Sequence, residues 1–349
     1  MPKTTLFAAL TALLVTSVPL PLLAQEAAQS EQPVAEDAAT DQAADDAVEA
    51  PSIGDGGATE ETRPIGSEPV PSRFGEREPD AAFGAFQRGL YLTARNLALP
   101  RAEAGDKAAQ TLLAEIYSRG LGVAKNQAEA KKWYQLAAQQ GVPEAEFRYG
   151  LILLAEGGEE KRAQGRVLME KAAANGNALA SFNLAQLILT DRLGNAGRAT
   201  AFPHFMDAAK QGIPDAQYAV AQYYANGVEP VTEDLETAAF WLSGAAAQNF
   251  DTAQLEYGQM LLSGVGVERN LKQGFSWIAR AARTGNVVAR AELAKLYWGG
   301  IGVEPDVVLA GAWFVLTRRA GYRDRVLDDF WEGLSEETQL KAIEAANKL

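Results

Sequence analysis

Between residues 106 and 321 the apolar positions follow a helical period nested inside a longer one of about 36 residues. A Gly closing an Ala-rich run stands at Gly105, Gly141, Gly176, Gly212, Gly285 and Gly321, with Asn249 in the remaining slot, at spacings of 36, 35, 36, 37, 36 and 36. Gly and Asn readily take the left-handed conformation that ends a helix, so each mark predicts a helix terminus. Four residues after each mark stands an Ala (109, 145, 180, 216, 253 and 289), and nine after it an Ala or Gly (114, 150, 185, 221, 258 and 294). Small side chains at two fixed points of one helix let a partner helix come close. Eight residues before the closing mark, on a second helix, stands a large knob, Trp133, Trp241, Trp277 or Trp313; Leu168 and His204 take that slot in two units. The turns between the helices read GLGV at 120–123, GVGV at 264–267 and GIGV at 300–303. Their glycines permit the chain reversal and their Val folds back on the core. Pro203 predicts an interruption of the second helix in the unit that ends at Gly212.

A helix pair of this kind cannot hide its apolar face alone, so neighbours must stack. The pattern predicts an all-α fold, an α-solenoid over residues 79–321, covered at 322–349 by two short amphipathic helices, the second N-capped by Ser335. The residues above resemble Sel1-like repeats, relatives of the tetratricopeptide repeat. The pattern is nearly intact in 106–141, 250–285 and 286–321. Units 142–176 and 177–212 keep the Ala and Gly frame but lose the GxGV turn and the Trp, and 213–249 keeps Trp241 with a longer turn. The resemblance implies a non-enzymatic adaptor that binds another protein, with envelope-signalling regulation among such roles. Some secreted relatives staple each repeat with a cysteine pair; this chain has no cysteine, so stacking alone must stabilise it.

The N-terminal residues change the picture. Residues 1–24 carry Lys3, an apolar run from Leu6 to Val18, then Pro19, Pro21 and Ala24. This reads as a signal peptide cleaved after Ala24, meeting the membrane only transiently and delivering a periplasmic or secreted protein; an uncleaved anchor is the alternative. Residues 25–72 hold twelve acidic residues, one basic residue and no aromatic one, so 25–78 is expected to be a disordered acidic linker. The formal net charge of −13 therefore sits mostly there, and residues 73–349 carry only −3.

Composition excludes much chemistry. Without cysteine and with one histidine there is no thiolate metal site, no Cys nucleophile and no multi-histidine cage. No catalytic residue, metal site or cofactor site is expected. The Gly-rich turns lack the Lys-Ser/Thr and preceding strand of a phosphate loop. Glu159/Glu160 and Asp328/Asp329 read as solvated surface, and His204 as a knob substitute. The acidic balance argues against nucleic acid.

Partner binding is the remaining question. On the first helix of each unit, positions +4, +8 and +12 from the mark form the buried stripe, and +6 and +10 fall opposite. Position +6 reads Thr111, Phe147, Phe182, Tyr218, Leu255 and Ala291; position +10 reads Glu115, Leu151, Gln186, Gln222, Gln259 and Lys295. In helical-repeat solenoids this helix usually lines the concave surface. Phe147, Leu151, Phe182, Gln186, Tyr218, Gln222 and Gln259 are accordingly the candidate groove for a protein partner. The alternative is that +6 packs against the next repeat. A second reading, cell-wall or glycan binding, rests on Trp298, Tyr218 and Phe182 as stacking platforms.

Overall fold

The computed structural model describes residues 80–349, and the expected signal segment and acidic linker lie outside them. The described residues form sixteen helices and no strand. A partial unit, α1 (Ala81–Gln87) and α2 (Tyr91–Glu103), leads into six helix pairs. These are α3 (Lys107–Arg119) with α4 (Gln127–Gln139), α5 (Pro143–Glu156) with α6 (Glu159–Ala174), and α7 (Ala178–Asp191) with α8 (Asn195–Lys210). Then come α9 (Pro214–Asn226) with α10 (Leu235–Ala247), α11 (Asp251–Ser263) with α12 (Leu271–Arg283), and α13 (Val287–Gly299) with α14 (Val307–Arg319). Two cap helices follow, α15 (Arg325–Glu332) and α16 (Glu336–Ala346). Each first helix packs on the second helix of its own unit and on that of the unit before, the arrangement of an α-solenoid.

Local chemistry sets these boundaries. Asp106, Asn126, Asn177, Asp234, Asn270, Asn286, Asp306 and Ser335 cap helix starts by accepting from free backbone N–H groups. All six glycine marks have positive φ, and Asn249, at φ 67°, is the one non-glycine residue that does so among those described. The second glycine of each GxGV turn has a different task. A Cβ at Gly302 would stand 2.1 Å from the carbonyl oxygen of Leu271, at Gly266 2.3 Å from that of Leu235, and at Gly122 3.1 Å from Tyr91 Cβ. Leu271, Leu235 and Tyr91 each begin the second helix of the preceding unit. At Gly266 and Gly302 the turn thus touches the previous repeat at a spacing where no side chain fits, and at Gly122 the contact is tight.

Small residues bring the paired helices together as expected. All six Ala at position +4, and all six Ala or Gly at +9, are buried. A Cβ on Gly165 would lie 2.9 Å from the Gly150 carbonyl, and one on Gly274 2.8 Å from that of Gly258. Of the knobs, Trp133 and Trp313 are buried, while Trp241, Trp277, Leu168 and His204 are half-buried. Helix α8 runs unbroken through Pro203, contrary to the expected interruption. Pro203 is exposed while Ala201, Phe205, Ala208 and Ala209 are buried, so packing of that face outweighs the lost backbone bond.

Position +5, unremarked in the sequence pattern, joins consecutive units. Gln110 Nε2 donates to the Ala102 carbonyl (3.1 Å), Gln217 Nε2 to Ala209 (3.3 Å), Gln254 Nε2 to Ala246 (3.0 Å) and Arg290 Nε to Ala282 (3.2 Å). Each bond spans eight residues across the turn between units. Two of the glutamines receive a further bond from the end of their own unit, Gln140 Nε2 to Gln110 Oε1 (2.8 Å) and Gln248 Nε2 to Gln217 Oε1 (3.0 Å). Thr284 stands where that second Gln would be for Gln254, and the buried Gln254 Oε1 has no partner among the described residues. The cap repeats the device: Gln339 Nε2 donates to the Trp331 carbonyl at 2.9 Å, again eight residues back.

Candidate binding surface on the first helices

The side chains proposed for a groove divide into two sets. Phe147 is fully buried and Leu151 and Phe182 are each 7 % exposed. They belong to the core cluster that includes Met169, Phe205 and Tyr223, and the Phe182 ring meets that of Phe205 on α8 at 5.8 Å. These three are therefore corrected from groove to core, and position +6 packs between helices. The reason is that a first helix in a stack is covered from more than one side, so one apolar stripe does not exhaust its buried surface. Gln222 is also buried, and Tyr218 is half-buried, its ring stacked on Phe250 at 5.0 Å. Gln186 and Gln259 are half-buried as well, but unlike Tyr218 they have no side-chain hydrogen bond among the described residues, which leaves their amides to meet a partner.

Position +10, with its neighbours at +3 and +7, carries the polar chemistry of this surface. Glu115 accepts from Tyr134 Oη at 2.8 Å and pairs with Arg119 at 3.1 Å. Glu144 accepts from Arg148 Nε at 2.7 Å and from Asn177 Nδ2 of the next unit at 2.9 Å. Glu256 accepts from Tyr218 Oη at 2.8 Å and from Gln222 Nε2 at 2.7 Å, which joins α9 to α11. Lys295 bonds Glu292 at 3.0 Å and Asp324 at 2.7 Å, which joins α13 to the cap. Burial is the largest single influence on the last pair and opposes charge on both. Their mutual bond, together with Glu292 beside Lys295 and the Leu327 and Val326 N–H groups on Asp324, outweighs it, holding Asp324 below and Lys295 above their ordinary ranges. Each of the last three contacts ties a first helix to the unit or cap after it, so polar bonds on this surface bridge three of the junctions.

Glu256 differs from the other carboxylates because no cation pairs with it among the described residues. Burial pushes its carboxyl above the usual glutamate range, and the Tyr218 and Gln222 bonds recover only part of that shift. Burial, with the Glu256 charge beside it, also raises the Tyr218 phenol. A carboxyl whose folded pKa is raised favours the native state below that pKa and costs stability as pH rises through it. Glu256→Gln removes the charge and keeps an acceptor for Tyr218, and Gln222 can turn its amide to present oxygen. The variant is expected to gain about 1 kcal/mol over the wild type at pH 7. Urea unfolding from pH 4 to pH 8 should show that gap closing toward the acid end; a gap independent of pH would refute the assignment.

The glycan reading loses most of its platform. Phe182 is core, Tyr218 is covered by Phe250, and Trp298 alone remains open, 45 % exposed with its ring 4.9 Å from Phe330. Among the described residues no cluster of His, Asp or Glu has the arrangement of a metal site, and no helix is long and apolar enough to cross a membrane. Sequence reasoning missed Glu256 and Arg148, although both stand at +7, one turn from the position it examined.

Comparison with known proteins matches the repeat frame. The family model for the Sel1 repeat covers residues 107–142, 143–177, 214–250, 252–286 and 287–322, just over half of the chain. The unmatched stretch between 177 and 214 is the unit that carries His204 in place of Trp. The Sel1-repeat-containing protein YjcO of Escherichia coli K12 is 27 % identical over 170 residues, 48 % of this chain and 72 % of that protein. The sel1-like repeat-containing protein L21 of Acanthamoeba polyphaga mimivirus is 30 % identical over 122 residues, 35 % of this chain and only 22 % of the viral protein. Among solved structures, a Sel1 repeat protein of Oxalobacter formigenes superposes with a TM-score of 0.56 at 23 % identity, covering 71 % of this chain and 99 % of that one. The protective antigen c5321 of uropathogenic E. coli superposes with a TM-score of 0.51 at 25 % identity, covering 77 % of this chain and 67 % of that one.

Proposed function

Since the chain belongs to the Sel1 repeat family, whose repeats generally mediate protein–protein interaction, we propose that it is a non-enzymatic scaffold holding an extended segment of a protein partner along its first helices. The observation that carries this reading is the set of polar bonds that bridge three junctions along the first helices, with the half-buried Gln186 and Gln259 amides on the same surface bonded to no side chain among the described residues. Side-chain amides offer a donor and an acceptor together, which suits the backbone of an extended peptide. The apolar residues are turned inward, so the partner is held mainly by polar contacts to fixed side chains. The pattern of residues 1–24 supports an exported, periplasmic setting, and within it a regulatory role in envelope signalling.

A photo-crosslinking residue at position 186 or 259 should capture one and the same partner, and one at Ser276 on α12 should not. With that partner in hand, Gln186→Ala combined with Gln259→Ala is expected to weaken binding at least about tenfold, roughly 1.4 kcal/mol, with no change in melting temperature. Unchanged affinity would remove the first helices as the binding surface. Recovery of the chain with cytoplasmic proteins alone on cell fractionation would defeat the exported setting.

A further inference from the structure

Charge is distributed very unevenly between successive units. Residues 213–249 contain five acidic residues and no basic one. Residues 280–325 contain eight basic residues against four acidic ones, and seven of the eight are arginines: Arg280, Arg283, Arg290, Arg318, Arg319, Arg323 and Arg325. All seven flank the marks Gly285 and Gly321, so they share the edge where second helices hand over to the next unit. Two of the four acidic residues, Glu304 and Asp306, lie in the opposite turn, between α13 and α14. The other two, Glu292 and Asp324, are held by Lys295.

These guanidiniums are largely unneutralised. Arg318 pairs with Asp328 at 3.4 Å. The other six form no ion pair among the described residues: Arg319 donates to Asn347 Oδ1, Arg280 to Asn249 Oδ1 and Arg290 to the Ala282 carbonyl, all uncharged acceptors. Helix-end electrostatics explains part of the set, because Arg280, Arg283, Arg318 and Arg319 sit in last turns, where the helix dipole favours cations. It runs the wrong way for Arg290, in the first turn of α13, and for Arg325, the first residue of α15. Both oppose the dipole; the bond from Arg290 to the Ala282 carbonyl gives that residue a place in the fold, whereas fold stability does not account for Arg325. Tyr322 (37 % exposed) and Val288 (41 % exposed) stand among the arginines as apolar contacts.

We propose that this edge, from Arg280 to Arg325, is a second interaction surface, which binds a carboxylate-rich segment of a protein partner. The exclusive use of Arg matches planar, two-point recognition of carboxylates. The patch covers only two unit boundaries and carries +4, so the rest of residues 73–349, which together carry −3, hold −7. That suits a short acidic peptide better than a long polyanion, which the rest of the molecule repels. The surface is separate from the face carrying Gln186 and Gln259, so one partner segment on each, or two partners, can be held together.

The test uses the full chain and a fluorescein-labelled deca-glutamate peptide, read by anisotropy at about 20 mM salt. The wild type should bind, and binding should weaken steadily as salt is raised. Arg283→Glu combined with Arg325→Glu should weaken it at least about tenfold, with melting temperature held within about 2 °C. Should that variant melt lower, the Gln substitutions at the same positions should still weaken binding about threefold. Arg162→Glu, a reversal at an exposed site on α6, should leave binding unchanged, and so should the Gln186→Ala/Gln259→Ala pair. Failure of the peptide to bind, equal loss from Arg162→Glu, or tighter binding of a 12-base-pair DNA duplex or phosphatidylglycerol vesicles would each overturn the proposal. Loss of peptide binding in the Gln pair alone would return the acidic segment to the first-helix surface.

Discussion

Phe147→Ala is expected to lower the free energy of unfolding by about 3–5 kcal/mol, the usual cost of deleting a buried aromatic ring. Phe147 is fully buried, and it shares its cluster with Leu151, Met169 and Phe182. Those side chains come from α5, α6 and α7, so the cavity would loosen two helix contacts at once. Gln186→Ala, at a half-exposed site on α7, should change stability by less than about 0.5 kcal/mol. Urea unfolding followed by far-UV circular dichroism reads both. If Phe147→Ala unfolds like the wild type, the +6 position is open surface after all. The substitution also meets the weaker half of the stack, since Leu168 and His204 replace Trp in the neighbouring second helices. In a stack whose stability is close to a sum of local terms, the loss is expected to appear first as a separate early transition in α5–α8.

Gly302→Ala is the other large effect. The position has φ 75°, and the added Cβ would stand 2.1 Å from the Leu271 carbonyl oxygen. No rotamer relieves a contact between a Cβ and backbone, so the turn must move away from α12. The expected cost is about 3 kcal/mol or more, combining left-handed strain with lost packing. Gly285→Ala serves as the matched control: its φ is also positive, at 108°, but nothing lies within 4 Å of the new Cβ. It should lose only about 1–2 kcal/mol, from the backbone conformation. Thermal melts of the two variants should differ clearly, and equal losses would show that the turn does not touch the preceding unit as described.

The contrast between these glycines shows what could be read from the sequence. The marks were legible because a left-handed helix end leaves few choices of residue, and Asn249 in a glycine slot was an informative exception. The small residues at +4 and +9 were legible because two helices can approach closely only there. The clasp at position +5 was harder to see, because Gln110, Gln217, Gln254 and Arg290 share a donor but not a residue type, and Glu146 and Ser181 fill the slot in other units. The apolar side of the groove failed for a geometric reason. A helical wheel assigns one buried stripe, whereas α5 and α7 each meet helices on both sides, and Phe147 and Phe182 fill the second contact. Their identity carried the signal: large aromatic rings at a repeated position are costly to leave in water. The arginine edge was present in the sequence as well, but seven residues scattered over 280–325 become one surface only when two unit boundaries stand side by side.

The eight-residue clasp has a consequence for how such a chain changes in length. Donor and acceptor of each bond flank a single turn, and the glycine contact to the preceding unit spans 31 residues, as from Leu271 to Gly302. Contacts therefore stay short in sequence however many units are present, which keeps loop-closure entropy small and folding local. Gln339 and the Trp331 carbonyl place the same clasp between α15 and α16, so the two cap helices are joined to each other by the device that joins the units. A chain built this way can gain or lose a whole unit at any such junction and find the same partners waiting on the other side, with its closing helices still in register.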